Sequence, residues 1–355
     1  MRTITGALMV SALLWPVAAS SQSAMSVGKS PASHAGPYKI LKTAKVGGDG
    51  GFDYISADVP DRLLLTPRSG QGGHLGVFNL DTLKQVADIP GLASGGAVVD
   101  PKSHHGFSNT KPVTMWDSQA FKIVKTIPVD GRPDDIEFDP GTERVWVLSH
   151  QPPYATIIDA ASGTVASTLD LGGAPEQGAN DGKGTLYVNI SDKGTIAVVD
   201  LKSMTVKRHI DLSLSGASGS GLSLDAKNHI LFAYYRQPNP HVVIINADSG
   251  AIITQLPTGA GVDTVAFNPK TMEAIATEGG DGTMTFIKEK SPTSFVVEQT
   301  LPTKAGARTM VLDDKTGHVF TQTLEYGPVP VDAPAPRPAR GPAVPGSFTI
   351  IEVGK

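Results

Sequence analysis

The chain contains no cysteine. Disulfides, thiolate metal sites and cysteine nucleophiles are therefore excluded, and an exported form of the chain would depend on its core and topology for stability. Charge is also sparse, with 34 acidic against 30 basic residues and a net charge of −4. No run of lysine and arginine occurs, and such a run is what a protein needs to neutralise nucleic-acid phosphates. Nucleic acid is therefore not expected as a partner.

Glycine and proline are plentiful, with 39 and 27 residues among 355. This composition favours many short strands joined by tight turns and disfavours long helices. The length allows one large domain or two ordinary ones.

The first 19 residues have the pattern of a secretory signal. Arg2 supplies the positive start, residues 4–17 are mostly apolar, and small residues allow cleavage after Ala19. The apolar run is shorter than a bilayer-spanning helix requires, although an uncleaved anchor is the alternative. Residues 20–37 are rich in Ser, Ala and Gly and are predicted to be a disordered lead-in. We therefore expect a periplasmic or secreted domain over residues 38–355.

Two sets of sequence markers repeat along this domain. The first set ends an apolar stretch with Asp or Asn about every 39 to 45 residues, which is the length of a four-stranded propeller blade: Asp58, Asp100, Asp139, Asn180, Asp225, Asn268 and Asp313. The second set follows a later strand in each unit: Asp81, Asp117, Asp159, Asp200, Asn246, Lys288 and Glu352. Both sets count seven units.

The repeat predicts an all-β fold, a seven-bladed β-propeller of four-stranded antiparallel blades. A single blade cannot bury both faces, whereas a closed ring of blades buries each face against a neighbour. The last unit, residues 308–353, supplies only three strands, and the segment Tyr38 to Val46 belongs to no unit. We expect this N-terminal strand to complete the last blade and close the ring.

The segment LYVNISDKGTIAVVDLKSMTV, residues 186–206, resembles the repeat of the YVTN β-propeller family. The resemblance covers nearly all of residues 38–355 and implies an exported bacterial seven-bladed propeller. Members of this group are described mainly as binding or scaffold proteins, and a relative has been linked to DNA. The predicted acidic funnel of this chain argues against a DNA partner. Propellers also carry catalysis, so the fold does not decide the function.

In a propeller, the innermost strands begin at one end of the central channel, where the loops between second and third strands also open. The innermost starts are charged in five of seven units and acidic in four: Asp53, Gly95, Gly96, Asp134, Asp135, Glu176, Ser218, Ser220, Asp263 and Arg308. Like charges near an axis repel and need a cation or arginine among them. Alternatively, the acids only accept backbone N–H groups in turns.

The loops at the same mouth supply further candidates: His74, Lys111, His150, Tyr154, Asp192, Lys193, Arg236, His241, Glu278, Asp281 and Tyr326. Of these, His74, Tyr154, Arg236, His241 and Tyr326, together with Ser220, are predicted to contact a polar ligand that is anionic or sugar-like.

These candidates lead to alternative functions. The first is an envelope protein, expected to be monomeric, that binds a small polar ligand or a partner protein in its axial funnel. The second is a divalent-metal-dependent hydrolase similar to propeller lactonases of the gluconolactonase type, although no specific lactonase motif is present. In it, Asp53, Glu176 and Asp263 would hold Ca²⁺ or another divalent cation, with Asp135 as general base and Arg308 stabilising an oxyanion.

A third possibility is a lyase or redox enzyme that uses His150 or Tyr154 as acid or base. The adjacent His104 and His105 lie on the opposite face and are not expected to bind a metal, because successive strand residues point apart. Trp116 and Trp146 are predicted to be core residues. A proline-rich loop over residues 326–346 opens at the funnel, as a lid, a docking arm or a solvated insertion.

Overall fold

The computed structural model describes residues 35–48, 50–70, 72–216, 219–236, 239–330 and 341–355. The predicted signal segment, the lead-in up to residue 34, Ser218 and the centre of the proline-rich loop lie outside these residues. Across the described ranges, no helix has the length and apolarity needed to cross a membrane.

The described strands form seven antiparallel sheets, which confirms the predicted propeller. Blade 1 contains β2 (Gly51–Phe52) and β3 (Ser56–Asp58) as its innermost strand, then β4 (Leu63–Ser69), β5 (His74–Asn79) and β6 (Gln85–Pro90). Blade 2 contains β7 (Ala97–Asp100), β8 (His105–Ser108), β9 (Val113–Asp117) and β10 (Lys122–Ile127). Blade 3 contains β11 (Pro133–Asp139), β12 (Arg144–Ser149), β13 (Ala155–Asp159) and β14 (Thr164–Leu169).

The remaining blades repeat this order. Blade 4 contains β15 (Pro175–Asn180), β16 (Thr185–Ile190), β17 (Thr195–Asp200) and β18 (Thr205–Asp211). Blade 5 contains β19 (Gly219–Asp225), β20 (Ile230–Tyr235), β21 (His241–Asn246) and β22 (Ile252–Pro257). Blade 6 contains β23 (Val262–Asn268), β24 (Glu273–Glu278), β25 (Thr283–Ser291) and β26 (Ser294–Pro302), and blade 7 contains β27 (Met310–Leu312), β28 (Val319–Thr323), β29 (Thr349–Gly354) and β1 (Lys39–Lys45).

Burial follows from this stacking. The middle strands of a blade are apolar on both faces because neighbouring blades cover both, as in β20, which is buried along its whole length. The outermost strands alternate and keep charged side chains in solvent, as in β18. Trp116 and Trp146 are fully buried, as predicted for core residues.

The repeated Asp and Asn markers are turn residues. Asp139 accepts the backbone N–H of Thr142 at 2.9 Å, and Asp159 accepts that of Ser162 at 2.8 Å. Such side chains hold tight turns by hydrogen-bonding the backbone two or three residues on. In blade 4, the predicted marker shares this role with the next residue. Asp181 accepts the N–H groups of Lys183 and Thr185, while Asn180 accepts that of Gly182 at 2.8 Å and also donates to Asp139 in the neighbouring blade.

The innermost strands of blades 3 to 6 share one irregularity near their start. Their pairing register shifts between Pro133 and Ile136, Pro175 and Gly178, Gly219 and Leu222, and Val262 and Val265. A β-bulge leaves residues unpaired and redirects their side chains. In blade 1, the interruption between β2 and β3 likewise leaves residues unpaired and redirects their side chains. These bulges therefore place two successive residues per blade at the channel.

The N-terminal strand closes the ring, as predicted. β1 pairs antiparallel with β29 as the outermost strand of blade 7. Tyr38, just before β1, stacks on Phe286 of blade 6 with ring centroids 3.7 Å apart. Its backbone N–H and C=O are both bonded to the Gln299 side chain at 2.8 Å, and its hydroxyl donates to Glu273. These contacts attach the N-terminal segment to a second blade.

Replacing Tyr38 with alanine should lower the free energy of unfolding by about 3–5 kcal/mol, because a fully buried aromatic ring and its hydroxyl contact are lost. Chemical denaturation measures this change. Lys39→Ala, at the next and exposed position, is the matched control and should change stability by less than about 0.5 kcal/mol. Equal effects of the two substitutions would show that the segment does not hold the ring closed.

Candidate functional site

The bulges and adjacent loops bring seven charged side chains from six blades to one mouth of the channel. We call this group the axial ring: Asp53, Asp134, His150, Glu176, Arg236, Asp263 and Arg308. Asp134, Glu176 and Asp263 lie in the bulges of β11, β15 and β23, while His150 and Arg236 follow the second strands of blades 3 and 5.

One half of the axial ring is a chain of carboxylates and guanidinium groups. Asp53 Oδ1 lies 3.1 Å from Arg308 Nη2, and Arg308 Nε lies 2.8 Å from Asp263 Oδ2. The other oxygen of Asp263 contacts Arg236, whose Nη2 lies 3.1 Å from Glu176 Oε2. Positive and negative groups therefore alternate from blade 1 through blades 7, 6 and 5 to blade 4.

The other half centres on His150. Its Nε2 lies 3.1 Å from Asp134 Oδ2 and 3.6 Å from Glu176 Oε1. The Arg132 guanidinium approaches Nδ1 of the same ring. The Tyr54 hydroxyl lies 3.5 Å from Asp134 Oδ2 and links this half back to blade 1.

The mouth thus combines four carboxylates with three basic side chains, and each carboxylate of the axial ring has a basic group beside it. Asp53 and Asp263, predicted as metal ligands, share Arg308, while Glu176 lies between Arg236 and His150. In the part of the chain that the structure describes, one group of three potential ligand atoms lies within 4.8 Å: Asp134, His150 and Glu176. The metal set of Asp53, Glu176 and Asp263 stays a prediction.

The local environment shifts the pKa values of four members of the axial ring, among them His150 and Asp53. Hydrogen bonds to Asp134 and Glu176 raise the pKa of His150 to about 9. Arg132 opposes this effect, since a guanidinium can only donate to Nδ1. Burial, followed by the like charge of Asp263, raises the pKa of Asp53 to about 7, against the attraction of Arg308. The carboxylates therefore favour the protonated form of His150 at neutral pH, where Asp53 is a mixture of its protonated and ionised forms.

A second layer lies beneath the axial ring. The second bulge residues line a channel cavity of about 300 Å³, among them Tyr54, Asp135, Gln177 and Thr264. Gln177 crosses from blade 4 to blade 6, where its Oε1 accepts the Val265 N–H at 3.0 Å and its Nε2 donates to the Val265 carbonyl at 3.0 Å. Asp135, predicted as general base, is 4% exposed and belongs to this lower layer.

Of the six predicted ligand contacts, Arg236 lies in the axial ring. Ser220 is buried and donates to the Val262 carbonyl at 3.0 Å, so it joins blades 5 and 6. Tyr154 packs against the core between blades 3 and 4. His241 stacks on Tyr235 with centroids 4.9 Å apart.

The remaining two predicted contacts line separate cavities. His74 lines one of about 190 Å³ with Arg68 and Phe348, 3.7 Å from Asp88. Tyr326 lines a wider one of about 720 Å³ between blades 6 and 7.

His104 and His105 have different neighbours, as the alternation of strand residues predicts. His104 Nδ1 lies 3.6 Å from Asp61, and His105 Nδ1 lies 3.0 Å from the Ala160 carbonyl. Neither ring belongs to the group of potential metal ligands.

Sequence reasoning missed Tyr54, Arg132, Glu137 and Gln177. A usable signal was present, because the axial-ring residue of an innermost strand precedes the turn marker by five positions, as Asp53 precedes Asp58. The residue after it lines the channel, which identifies Tyr54 and Gln177. Arg132 and Glu137 lie outside this register.

Solved structures with low sequence identity to this chain share the fold. A chain in the crystal structure of a mitotic checkpoint complex matches with a TM-score of 0.68 and 12% identity, over 83% of this chain and 91% of that chain. A chain of Kuenenia stuttgartiensis hydrazine synthase matches with a TM-score of 0.64 and 14% identity, over 76% and 91%. No family model and no curated protein matches the sequence. The comparisons therefore show a β-propeller scaffold, and the YVTN resemblance stays a prediction.

Substituting His150 with glutamine should cost stability in a pH-dependent way. The folded-state pKa of about 9 exceeds the ordinary 6.5, so the stabilisation is complete below pH 6.5 and disappears as pH rises through 9. We expect the variant to be about 1–2 kcal/mol less stable at pH 6, allowing for solvent screening and Arg132, and equal to wild type above pH 9.5. Urea unfolding across this range measures the difference.

His229→Gln is the control, since His229 pairs with Asp248 at 2.9 Å in solvent and should contribute little. A His150→Gln deficit that is constant from pH 6 to 10 would contradict an ionised His150.

Proposed function

We propose that this chain is an exported envelope β-propeller that binds a small polar ligand with an anionic group at the axial ring. The observation that carries the proposal is the pair of arginines around Asp263. Export rests on the signal pattern of residues 1–19 and on the YVTN resemblance.

Arg236 and Arg308 hold the two oxygens of Asp263 from opposite sides. Their side chains are 36% and 25% exposed, more than that of Asp263 at 10%. The hydrogen bonds of both arginines to the described residues come from Nε and Nη2, which leaves Nη1 for a ligand. A carboxylate entering the mouth would accept charge-assisted hydrogen bonds from them, the strongest polar contacts available to it.

The acidic members of the axial ring favour hydrogen-bond donors on the same ligand. Asp53 and Asp134 are 34% and 22% exposed, so each offers oxygens to the mouth. Hydroxyl groups would donate to these carboxylates, and a proton on Asp53 would let it donate in turn. Hydroxy acids and sugar acids combine both features.

Arg236→Gln and Arg308→Gln should each weaken binding of such a ligand at least tenfold, the loss of a charge-assisted contact of about 1.5 kcal/mol or more. D-Gluconate serves as the probe, with affinity measured by calorimetry and by the shift in melting temperature. Uncharged D-glucose should bind more weakly than gluconate to the wild-type protein.

Arg208→Gln is the matched control, because Arg208 donates to backbone carbonyls of Ala247 and Asp248, away from the mouth. The proposal fails if gluconate, malate and acetate all leave the wild-type melting temperature unchanged. It also fails if Arg208→Gln weakens binding as much as the axial substitutions.

A second candidate, a metal-dependent hydrolase, has one specific observation in its favour, the group of Asp134, His150 and Glu176. One imidazole and two carboxylates suit Zn²⁺ or Mn²⁺ better than Ca²⁺, which prefers oxygen alone. A cation held there would polarise a carbonyl group and activate water, with Arg236 near the developing negative charge.

For this candidate, Zn²⁺ or Mn²⁺ added after chelation should raise the melting temperature of the wild-type protein. Glu176→Gln should abolish the shift, because one of three ligands is lost. Metal analysis of the untreated protein gives the occupancy. Glu143→Gln, at an exposed site on the opposite end of blade 3, is the control. An unchanged melting temperature with both metals would exclude the hydrolase at this group.

A further inference from the structure

Two carboxyl groups lie together inside the channel, beneath the axial ring. Asp135 and Glu137 are two residues apart on β11, and both line the channel cavity of about 300 Å³. Their side chains are within hydrogen-bonding reach of each other. The cavity lies on the propeller axis, since innermost strands of six blades contribute to its wall.

This pair lacks the compensation that the axial ring has. Each carboxylate of the ring lies beside an arginine or His150, whereas neither Asp135 nor Glu137 forms an ion pair within the described ranges of the chain. Two ionised carboxylates at this separation repel strongly in a buried site. Burial raises the pKa of both groups, so the pair is neutralised either by a proton or by a cation that the described residues do not supply.

One oxygen of Asp135 is left without a hydrogen-bond partner. Asp135 is 4% exposed, and its Oδ1 accepts the Ile136 N–H at 2.8 Å. Its Oδ2 is buried and accepts no hydrogen bond from any described donor. A buried carboxylate oxygen without a partner is costly, and in proteins it is usually satisfied by a donor, water or ion.

Most of the other polar groups on the cavity wall offer oxygen, whereas the Gln177 amide is already bonded to the backbone of Leu222 and Val265. Ser56 and Thr264 contribute hydroxyls, and Tyr54 contributes its phenol. The wall contains no histidine, and the chain has no cysteine. Oxygen donors with two carboxylates are the preferred environment of a hard cation, and the volume leaves room for coordinated water.

We propose that the channel cavity binds one hard divalent cation, Ca²⁺ in preference to transition metals, between the carboxylates of Asp135 and Glu137. Its charge offsets both carboxylates and satisfies Asp135 Oδ2. This site is distinct from the group around His150, whose imidazole favours a softer metal. It also differs from the proposed ligand site, which needs the arginines of the axial ring.

Calcium titration after chelation tests the proposal on the full folded chain. The wild-type protein should bind about one equivalent of Ca²⁺, and its melting temperature should rise by about 2–4 °C at a hundredfold excess over Kd. Tb³⁺ luminescence, displaced by Ca²⁺, measures occupancy directly. Glu137→Gln and Asp135→Asn should each weaken Ca²⁺ binding at least tenfold. Both substitutions keep the side-chain shape and remove a buried charge, so either can replace the other if one variant fails to fold.

His150→Gln, in the axial ring, and Glu143→Gln, at an exposed site on the opposite end of blade 3, are the controls and should retain Ca²⁺ binding within threefold of wild type. Three results would overturn the proposal. The first is wild-type protein with no response to Ca²⁺ or Tb³⁺, which would leave a shared proton between the two carboxyls. The second is a Glu137→Gln variant that binds Ca²⁺ like wild type. The third is loss of binding in His150→Gln alone, which would place the ion in the axial ring.

Discussion

The structure depends on closure of the ring between its first and last blades. The candidate site crosses that junction, because Asp53 belongs to blade 1 and Arg308 to blade 7. Arg308 Nη2 lies 3.1 Å from Asp53 Oδ1 and donates to the Phe52 carbonyl at 3.0 Å. At the other end of the junction, Arg62 of blade 1 pairs with Asp313 of blade 7 at 2.8 Å. Closure by β1 and β29 and assembly of the axial ring are therefore mutually dependent.

Convergence of seven innermost strands imposes an electrostatic constraint on whatever side chains lie at the axis. Carboxylates crowded at low dielectric raise the free energy unless cations lie among them. The upper layer meets this constraint with Arg236, Arg308 and His150, and the result is a mouth that offers both donors and acceptors. The lower layer, at Asp135 and Glu137, does not meet it with side chains. The two layers therefore differ in the kind of ligand they favour, a polar organic molecule above and a cation below.

The fold could be predicted from the sequence because every blade repeats the same local turn residues, and their regular spacing gives the number of blades. An Asp such as Asp139 is needed in the turn that follows the innermost strand, so an Asp or Asn recurs at this position from blade to blade. The site was only partly predictable. Asp53, Glu176, Asp263 and Arg308 were found from their position at the strand starts, but their pairing was not, because it depends on which blades meet across the axis. His74 and Tyr154 have suitable chemistry on suitable loops, yet blade packing turns them toward separate cavities or the core.

The departures from sevenfold repetition give the site its shape. Blade 2 places Gly95 and Gly96 where other blades carry a charged residue and a channel residue, and both glycine N–H groups are bound by the Asn109 side chain. Blade 5 carries Gly221 in the lower layer, where a Cβ would lie 2.7 Å from Val265 Cγ1. Gln177 bonds to blades 5 and 6, since its Oε1 accepts the Leu222 N–H at 3.2 Å and the Val265 N–H at 3.0 Å. The Gln177 amide therefore lines the same cavity as Asp135, Glu137 and Tyr54. The repeat therefore determines the scaffold. The glycines of blades 2 and 5, which replace larger side chains at the channel, determine where a ligand has room.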